Sequence, residues 1–314
     1  MDVSNSLKVQ NIPYIDLARI FGILFVVYWH VYTIAYPTSS FIRYLAPFAA
    51  MMPLITFVSG YLFRLLYNIG KYTNYVSLLK NKAKRLLIPL VVFTPFYVNY
   101  GHLNSVSEML NGLGPLWYLV MLFWQFVFVY PFYMFIYDRL NSSVKKFFIV
   151  SLFFPLIYVP VPDFVGIHYF TRWVFFFLLG GFVYDCHTLK KIMKEKRVAW
   201  CTIVCSLVAI VFCQYVIPIS NFYKAVGGNI LRLSSIIFVC IFCFSCQKWL
   251  FFVLKFLKKN SFGIYLMHAL VIKLLIEFIP DIKNCNAIWF FVVTIFFTNG
   301  LVWIFKRSLL KYVL

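Results

Sequence analysis

The sequence is poor in charge, and especially in acidic residues. Only 12% of its 314 residues are charged, nine as Asp or Glu and 29 as Lys or Arg, whereas 63% are hydrophobic. A soluble domain of this size has too little interior to bury that much apolar surface. Apolar runs of about 20 residues, the length that crosses a hydrocarbon core, recur along the chain. The composition excludes a soluble protein and predicts an all-α, polytopic transmembrane helix bundle, because helices satisfy their own backbone in lipid.

Internal repeats, low-complexity linkers and soluble domains are also lacking. We predict one integral membrane domain over residues 1–314, with about ten spans. The spans are 14–36, 46–67, 85–102, 115–137, 146–161, 168–185, 198–217, 228–246, 261–280 and 286–305. The first run lacks the basic segment and small-residue cleavage site of a signal peptide, so we expect it to be retained. Function must then be carried by the helices and their short loops.

The net charge of +20 raises the question of a nucleic-acid partner. The location of the positive charge argues against a nucleic-acid partner. Most of the Lys and Arg residues lie in alternate loops, at 68–85, 138–146, 187–197, 247–260 and 306–311. This distribution follows the positive-inside rule and predicts that both termini are cytoplasmic. We therefore expect membrane lipids, and not nucleic acid, around this chain.

The sequence offers little support for a metal or for disulfides. Cys240, Cys243 and Cys246 are regularly spaced, but they lie in an apolar run without a fourth ligand nearby. We interpret them as small packing residues and predict no metal. Only Cys285 of the eight cysteines falls in a predicted outer loop, so disulfides are not expected.

Arg19 and His30 are the most informative polar residues, because both lie within the first apolar run. At roughly 100° per residue, eleven positions return to within about 20° of the same helix face, about 16 Å along the axis. Arg at a helix centre costs at least about 2.5–3.5 kcal/mol in hydrocarbon, so the pair predicts a functional site. Asp16 lies three residues before Arg19, where a purely structural ion pair is the alternative. For His30 the alternative is a hydrogen-bonded core histidine.

Further ionisable residues fall in other predicted spans. They are Arg172, Arg232, His268 and Lys273. Histidine exchanges a proton near neutral pH, which makes His30 and His268 the candidates for general acid–base catalysis. A buried structural role is again the alternative for His268. Arginine stays charged and binds phosphate or carboxylate.

Six short motifs, in order along the chain, resemble the integral membrane acyltransferase 3 family, which includes bacterial O-acetyltransferases of surface polysaccharides. They are Arg19-x10-His30 after Ile15-Asp16, the run 57–63 with Ser59-Gly60, the basic run 82–89 ending in Pro89, 115–119 with Trp117-Tyr118, 177–180 ending in Gly180, and 261–268 ending in His268. The resemblance covers nearly the whole chain.

This resemblance implies transfer of an acyl group, usually acetyl from acetyl-CoA, to a hydroxyl of a cell-envelope glycan or lipid-linked sugar. It places the protein in a bacterial inner membrane. The implied catalytic residues are His30, Arg19 and Asp16. The implied donor-binding residues are Lys82, Lys84 and Arg85. From their positions and chemistry we also predict that the substrate is bound by Ser59, Trp117, Tyr118, Arg172 and His268.

Several alternatives stay open at this stage. Where the family usually has two arginines three apart, this chain has Lys82 and Arg85, and lysine lacks the bidentate fork of arginine. The basic cluster is otherwise a plain topology signal. Ser59-Gly60 equally fits a small-residue helix contact, and Trp117 and Tyr118 equally fit an interfacial belt. A flippase or other transporter of a glycan precursor is the alternative function. Direct transfer and a covalent route, in which Ser59 or His30 carries the acyl group, are both compatible with these residues.

Overall fold

The computed structural model describes residues 12–36, 51–72, 74–99, 114–162, 165–187, 195–215 and 221–307. In these ranges the chain is helical and contains no strand. The α-helices are α1 (Pro13–Ala35), α2 (Met51–Asn68), α3 (Tyr75–Asn99), α4 (Trp117–Phe135), α5 (Ser143–Ser151), α6 (Ile167–Asp185), α7 (Lys196–Tyr215), α8 (Asn221–Ser245), α9 (Gln247–Lys258), α10 (Ser261–Phe278) and α11 (Ala287–Phe305). Three 3-10 helices lie at Tyr137–Arg139, Phe154–Tyr158 and Pro280–Asn284.

Local sequence explains several helix boundaries. Pro13 begins α1 at a position where its missing N–H costs nothing. The side chains of Ser142 and Asn286 accept hydrogen bonds from Val144 N and Ile288 N, which caps the starts of α5 and α11.

Six segments of the described chain are long and apolar enough to cross a membrane. They are Pro13–Ala35, Trp117–Arg139, Ile167–Asp185, Gly227–Ser245, Ser261–Phe278 and Ala287–Phe305. All six coincide with predicted spans, which confirms the all-α fold class and an integral membrane protein. The total of about ten spans and the cytoplasmic location of both termini stay predictions.

The prediction of one continuous helix over 146–161 is wrong. Helix α5 ends at Ser151, after only nine residues, and a turn leads into the 3-10 helix Phe154–Tyr158. Pro155 explains the break, since proline lacks a backbone donor and disfavours α conformation in the residue before it.

The core is organised around α1, which packs against α2, α8, α9, α10 and α11. A second contact joins α2 to α6. There the helix backbones approach so closely that a Cβ on Gly60 would overlap the Phe177 carbonyl, and a Cβ on Gly180 would overlap the Phe57 carbonyl. Small residues permit such crossings between membrane helices. Gly60 therefore has a packing role, while its neighbour Ser59 faces a cavity.

Candidate active site

A cavity of about 260 Å³ lies between α1, α2, α3, α4 and α10. Its lining is mostly apolar, with a small set of cations and hydroxyl groups. The polar lining residues are Arg19, Ser59, Lys82, Arg85, Tyr118, Ser261 and Tyr265. The five helices thus bring together five of the predicted site residues, from four separate motifs. A largely apolar pocket with a few converging polar groups is typical of a ligand site.

Three cations make one part of this cavity positive. Arg19 is contributed by α1, and Lys82 and Arg85 lie one turn apart on α3. The Lys82 ammonium lies 3.9 Å from the centre of the Phe126 ring, a cation–π contact. The buried Arg19 Nε has no hydrogen-bond acceptor among the described residues. A group of cations with unused donors favours an anionic ligand.

Lys82 precedes the predicted span 85–102, and its charge is sensitive to its surroundings. Burial, together with the nearby cations Arg85 and Lys71, lowers the pKa of Lys82 to about 7. Desolvation is the largest of these causes, since it penalises the charged ammonium. A bound anion would favour the protonated form.

Hydroxyl groups line another part of the cavity. The Ser59 Oγ and Tyr118 Oη atoms are hydrogen-bonded at 3.0 Å. Tyr265 donates its hydroxyl hydrogen to the Pro115 carbonyl at 2.8 Å, and its ring centre lies 5.7 Å from that of Tyr118. The hydrogen bond to Pro115 connects the start of α4 to α10.

The two histidines of the motifs lie beside each other, beyond Tyr265. The centres of the His30 and His268 rings are 5.0 Å apart, and the Tyr265 ring is 5.9 Å from His268. Nδ1 of the fully buried His268 lies 2.6 Å from the Tyr265 carbonyl oxygen. A carbonyl only accepts, so we assign the proton to Nδ1, which leaves the lone pair of the neutral ring on Nε2. Tyr265 thereby links the cavity to the histidine pair.

Asp16 lies in an ion-pair network and does not line the cavity. Its carboxylate is 3.3 Å from the Arg19 guanidinium and 2.7 Å from the Lys258 ammonium at the end of α9. The two contacts hold α1 to α9 and orient Arg19, which is itself part of the cavity wall. Geometrically, Asp16 is suited to positioning Arg19.

The model of the acyltransferase 3 family, described as an acyltransferase domain, matches residues 12–307. The chain belongs to this family. It is therefore an acyltransferase with a helical membrane domain, as its motifs indicated. No curated protein matches the chain, and no solved structure matches it.

Three further predicted site residues lie away from the cavity. Lys84 is exposed and borders an open apolar surface of α3, on which Leu87 and Val91 also lie. Trp117 stacks on Tyr169, with 4.1 Å between ring centres. Arg172 is exposed on α6. Neighbouring residues of one helix face different directions, which the linear spacing of the motifs did not show.

Sequence analysis missed an ion-pair network around Arg64. This buried guanidinium lies 2.5 Å from Asp138 Oδ1 and 2.8 Å from Asp185 Oδ2. It also lies over the rings of three tyrosines. The network ties the ends of α2, α4 and α6 together. Arg64 could have been predicted from the sequence, because it lies inside the predicted span 46–67. An ionisable residue inside a span is the criterion that selected Arg19.

Among the residues that the structure describes, no three His, Cys, Asp or Glu side chains form a group that could hold a metal ion.

Proposed function

We propose that this acyltransferase transfers an acetyl group from acetyl-CoA to a hydroxyl of a cell-envelope glycan or lipid-linked sugar in a bacterial inner membrane. The observation that carries the proposal is the cavity in which Arg19, Lys82 and Arg85 meet the hydroxyls of Ser59, Tyr118 and Tyr265. Family membership supports acyl transfer itself. The nature of the donor and the roles of the residues are our inference.

The cavity suits the acyl-bearing arm of the donor. Its volume of about 260 Å³ is smaller than the roughly 300–1,000 Å³ of pockets that enclose a drug-sized ligand. We therefore assign it the narrow arm of the donor, with the thioester at the end lined by Tyr265, next to the histidine pair. The phosphates of the nucleotide part would pair with Lys82 and with the exposed side chain of Arg85. Arginine offers a fork to a phosphate, and lysine a point charge.

The histidine pair is suited to the proton transfer that the reaction requires. His30 accepts the proton of the acceptor hydroxyl as that oxygen attacks the thioester carbonyl carbon. The C–O ester bond forms, the C–S bond breaks, and the thiolate of CoA takes up the proton from His30. His268 lies beside His30, with 5.0 Å between the ring centres, and is the second candidate for this base. Arg19, held by Asp16, stabilises negative charge on the donor.

Lys82→Ala is expected to weaken acetyl-CoA binding by about 10-fold or more, because it removes a charged hydrogen-bond donor from the cavity. Lys84→Ala is the matched control. It removes the same charge two residues away, from a side chain that does not line the cavity. Binding of acetyl-CoA to purified protein in nanodiscs, followed by titration calorimetry, measures both. Transfer of radiolabelled acetyl from acetyl-CoA to glycan acceptors is scored on the same samples.

Equal losses of acetyl-CoA affinity in Lys82→Ala and Lys84→Ala would contradict the donor site, because they would indicate only long-range attraction between the positive charge and the donor. Absence of label transfer to any glycan, together with movement of a lipid-linked sugar across the bilayer, would instead favour the transporter alternative. Loss of O-acetyl signals from the surface glycan of a deletion strain would support the enzyme.

Donor binding is also expected to depend on pH through Lys82. Only the protonated ammonium attracts phosphate, so affinity should be highest below pH 7 and fall as pH rises through the Lys82 pKa of about 7. The decrease is at most about tenfold per pH unit. Arg stays charged throughout this range, so Lys82→Arg should remove the dependence.

Acetyl-CoA titrations of the wild type and of Lys82→Arg from pH 6 to 8.5 test this prediction. Any pH dependence that persists in Lys82→Arg reports the ionisation of the phosphates of acetyl-CoA. The same pH profile in both proteins would rule out Lys82 as its origin.

A further inference from the structure

A second cluster of cationic and aromatic side chains lies on α6 and α8, outside the cavity. Arg232 lies over the Trp173 ring, with its guanidinium carbon 5.3 Å from the ring centre. Its NH1 donates to Asn229 Oδ1 at 2.8 Å, and Asn229 Nδ2 donates to the Tyr158 hydroxyl at 2.6 Å. Asn229 is buried. The guanidinium is thus held in place by groups that bring no negative charge.

A second arginine adds to this positive charge. Arg172, adjacent to Trp173 in the chain, is close enough to Arg232 to interact with it electrostatically. Within the described ranges, neither arginine lies within 4.0 Å of a carboxylate. Two like charges without a carboxylate partner repel each other, and an anion bound between them would relieve this repulsion. We call Arg172, Trp173, Asn229 and Arg232 the arginine cluster.

Trp173 supplies an independent indication of a ligand. Only 7% of this residue is exposed, yet its Nε1–H has no hydrogen-bond acceptor among the residues that the structure describes. Buried donors are nearly always paired in native proteins, and an unpaired one costs free energy. The unpaired indole N–H lies on the ring that the Arg232 guanidinium covers, so a hydrogen-bond donor and a positive charge are close together, as an oxyanion requires.

Flat aromatic surface adjoins the cluster. Trp117 stacks on Tyr169, with 4.1 Å between the ring centres, and its own ring centre lies 6.4 Å from that of Trp173, with 28° between the planes. Trp117 is only partly buried, so its ring adds exposed apolar surface next to the charged donors. The apolar face of a sugar ring packs well on such a surface, while an anion attached to the sugar reaches the arginines.

The position of the cluster is consistent with an acceptor entering from the opposite side to the donor. Trp173 lies near the start of α6, and Asp185, which binds Arg64, ends the same helix. Twelve residues at about 1.5 Å each separate them by about 18 Å. In the predicted topology the cluster faces the outside, and the Arg64 network faces the cytoplasm.

We propose that the arginine cluster binds the oxyanion of an anionic sugar, so that the acyl acceptor of this enzyme carries a phosphate or a carboxylate. The identification of this sugar as the acyl acceptor rests on the proposed function. The binding of the anion itself does not depend on it. A phosphate would indicate a lipid-linked sugar phosphate, and a carboxylate would indicate an acidic polysaccharide.

Binding of three small probes to the full-length protein in neutral-lipid nanodiscs tests this. The probes are glucose 1-phosphate, glucuronic acid and glucose. At least one anionic probe should bind, and glucose should bind at least tenfold more weakly. Arg232→Gln should weaken the anionic probe about 10- to 100-fold, since a charged hydrogen bond is lost. Trp173→Phe keeps the ring and removes only the donor, and should weaken it less.

Arg139→Gln is the matched control, because it removes an exposed arginine at the other end of the bundle. Acetyl-CoA affinity and melting temperature, measured on each variant, verify that it is folded. Which anionic probe binds identifies the source of the oxyanion. Absence of anion-dependent binding, or equal binding by wild type, Arg232→Gln and Trp173→Phe, would overturn the proposal. Anion binding without any acetyl transfer would leave the site standing and overturn the proposed function alone.

Discussion

His30→Gln is expected to lose acyl transfer by about 10²- to 10⁴-fold while keeping acetyl-CoA binding within about twofold. Glutamine retains hydrogen bonding and much of the side-chain volume, but it cannot accept a proton near neutral pH. His30 does not line the cavity, so donor binding has no reason to change. Initial rates of radiolabelled acetyl transfer, compared with calorimetric affinity for acetyl-CoA, measure the two effects separately.

His187→Gln is the matched control, since it removes an exposed histidine that follows α6. His268→Gln distinguishes the two members of the pair. If His268 were the base and His30 only its neighbour, the large loss would occur in His268→Gln and a small one in His30→Gln. A His30→Gln enzyme with wild-type rates would remove His30 from the mechanism.

Gly60→Ala is expected to lower the free energy of unfolding by at least the roughly 1–3 kcal/mol that is typical of overpacking. The added methyl overlaps the Phe177 carbonyl, and a backbone atom cannot move aside as the end of a side chain can. Helices α2 and α6 must therefore separate. This would also displace Ser59 from the cavity and loosen the Arg64 pairs. Melting temperature in detergent, followed by size-exclusion chromatography, records the loss of folded protein.

Gly300→Ala provides the control for this experiment. A Cβ at Gly300, in α11, would meet nothing within 4 Å, so the same substitution tests helix propensity alone. It should be neutral or stabilising, because alanine is the better helix former. If both variants melt at the same temperature as wild type, the close crossing of α2 and α6 is not required for stability.

Hydropathy and charge were sufficient to predict the fold class. Length and apolarity decide whether a segment can cross a membrane, and both can be counted along the chain. The prediction was wrong at 146–161, where Pro155 breaks an apolar run that hydropathy alone treats as continuous. Apolarity measures compatibility with lipid, and it does not measure helical continuity.

The candidate site was predictable in part. Arg19 and His30 stand out because burying an ionisable group in hydrocarbon costs free energy, and whether a residue lies within an apolar run can be read from the sequence. Arg64 is equally anomalous by that criterion, since it lies within the predicted span 46–67. In contrast, Lys82 lines the cavity and Lys84 does not, because of which face of α3 packs against α4. The two residues carry the same charge, so the sequence does not distinguish them.

Sequence by itself determined the membrane environment, the helical class, the family and the Arg19–His30 face, because each follows from composition or from spacing within one helix. Tertiary structure alone decided which distant residues meet. It placed Lys82 with Ser59 and Tyr118, paired His30 with His268, and left Trp173 and Arg232 as neighbours on different helices. The physical reason is that helix packing is set by the fit of whole surfaces, such as the close crossing at Gly60 and Gly180, and no single segment encodes that fit.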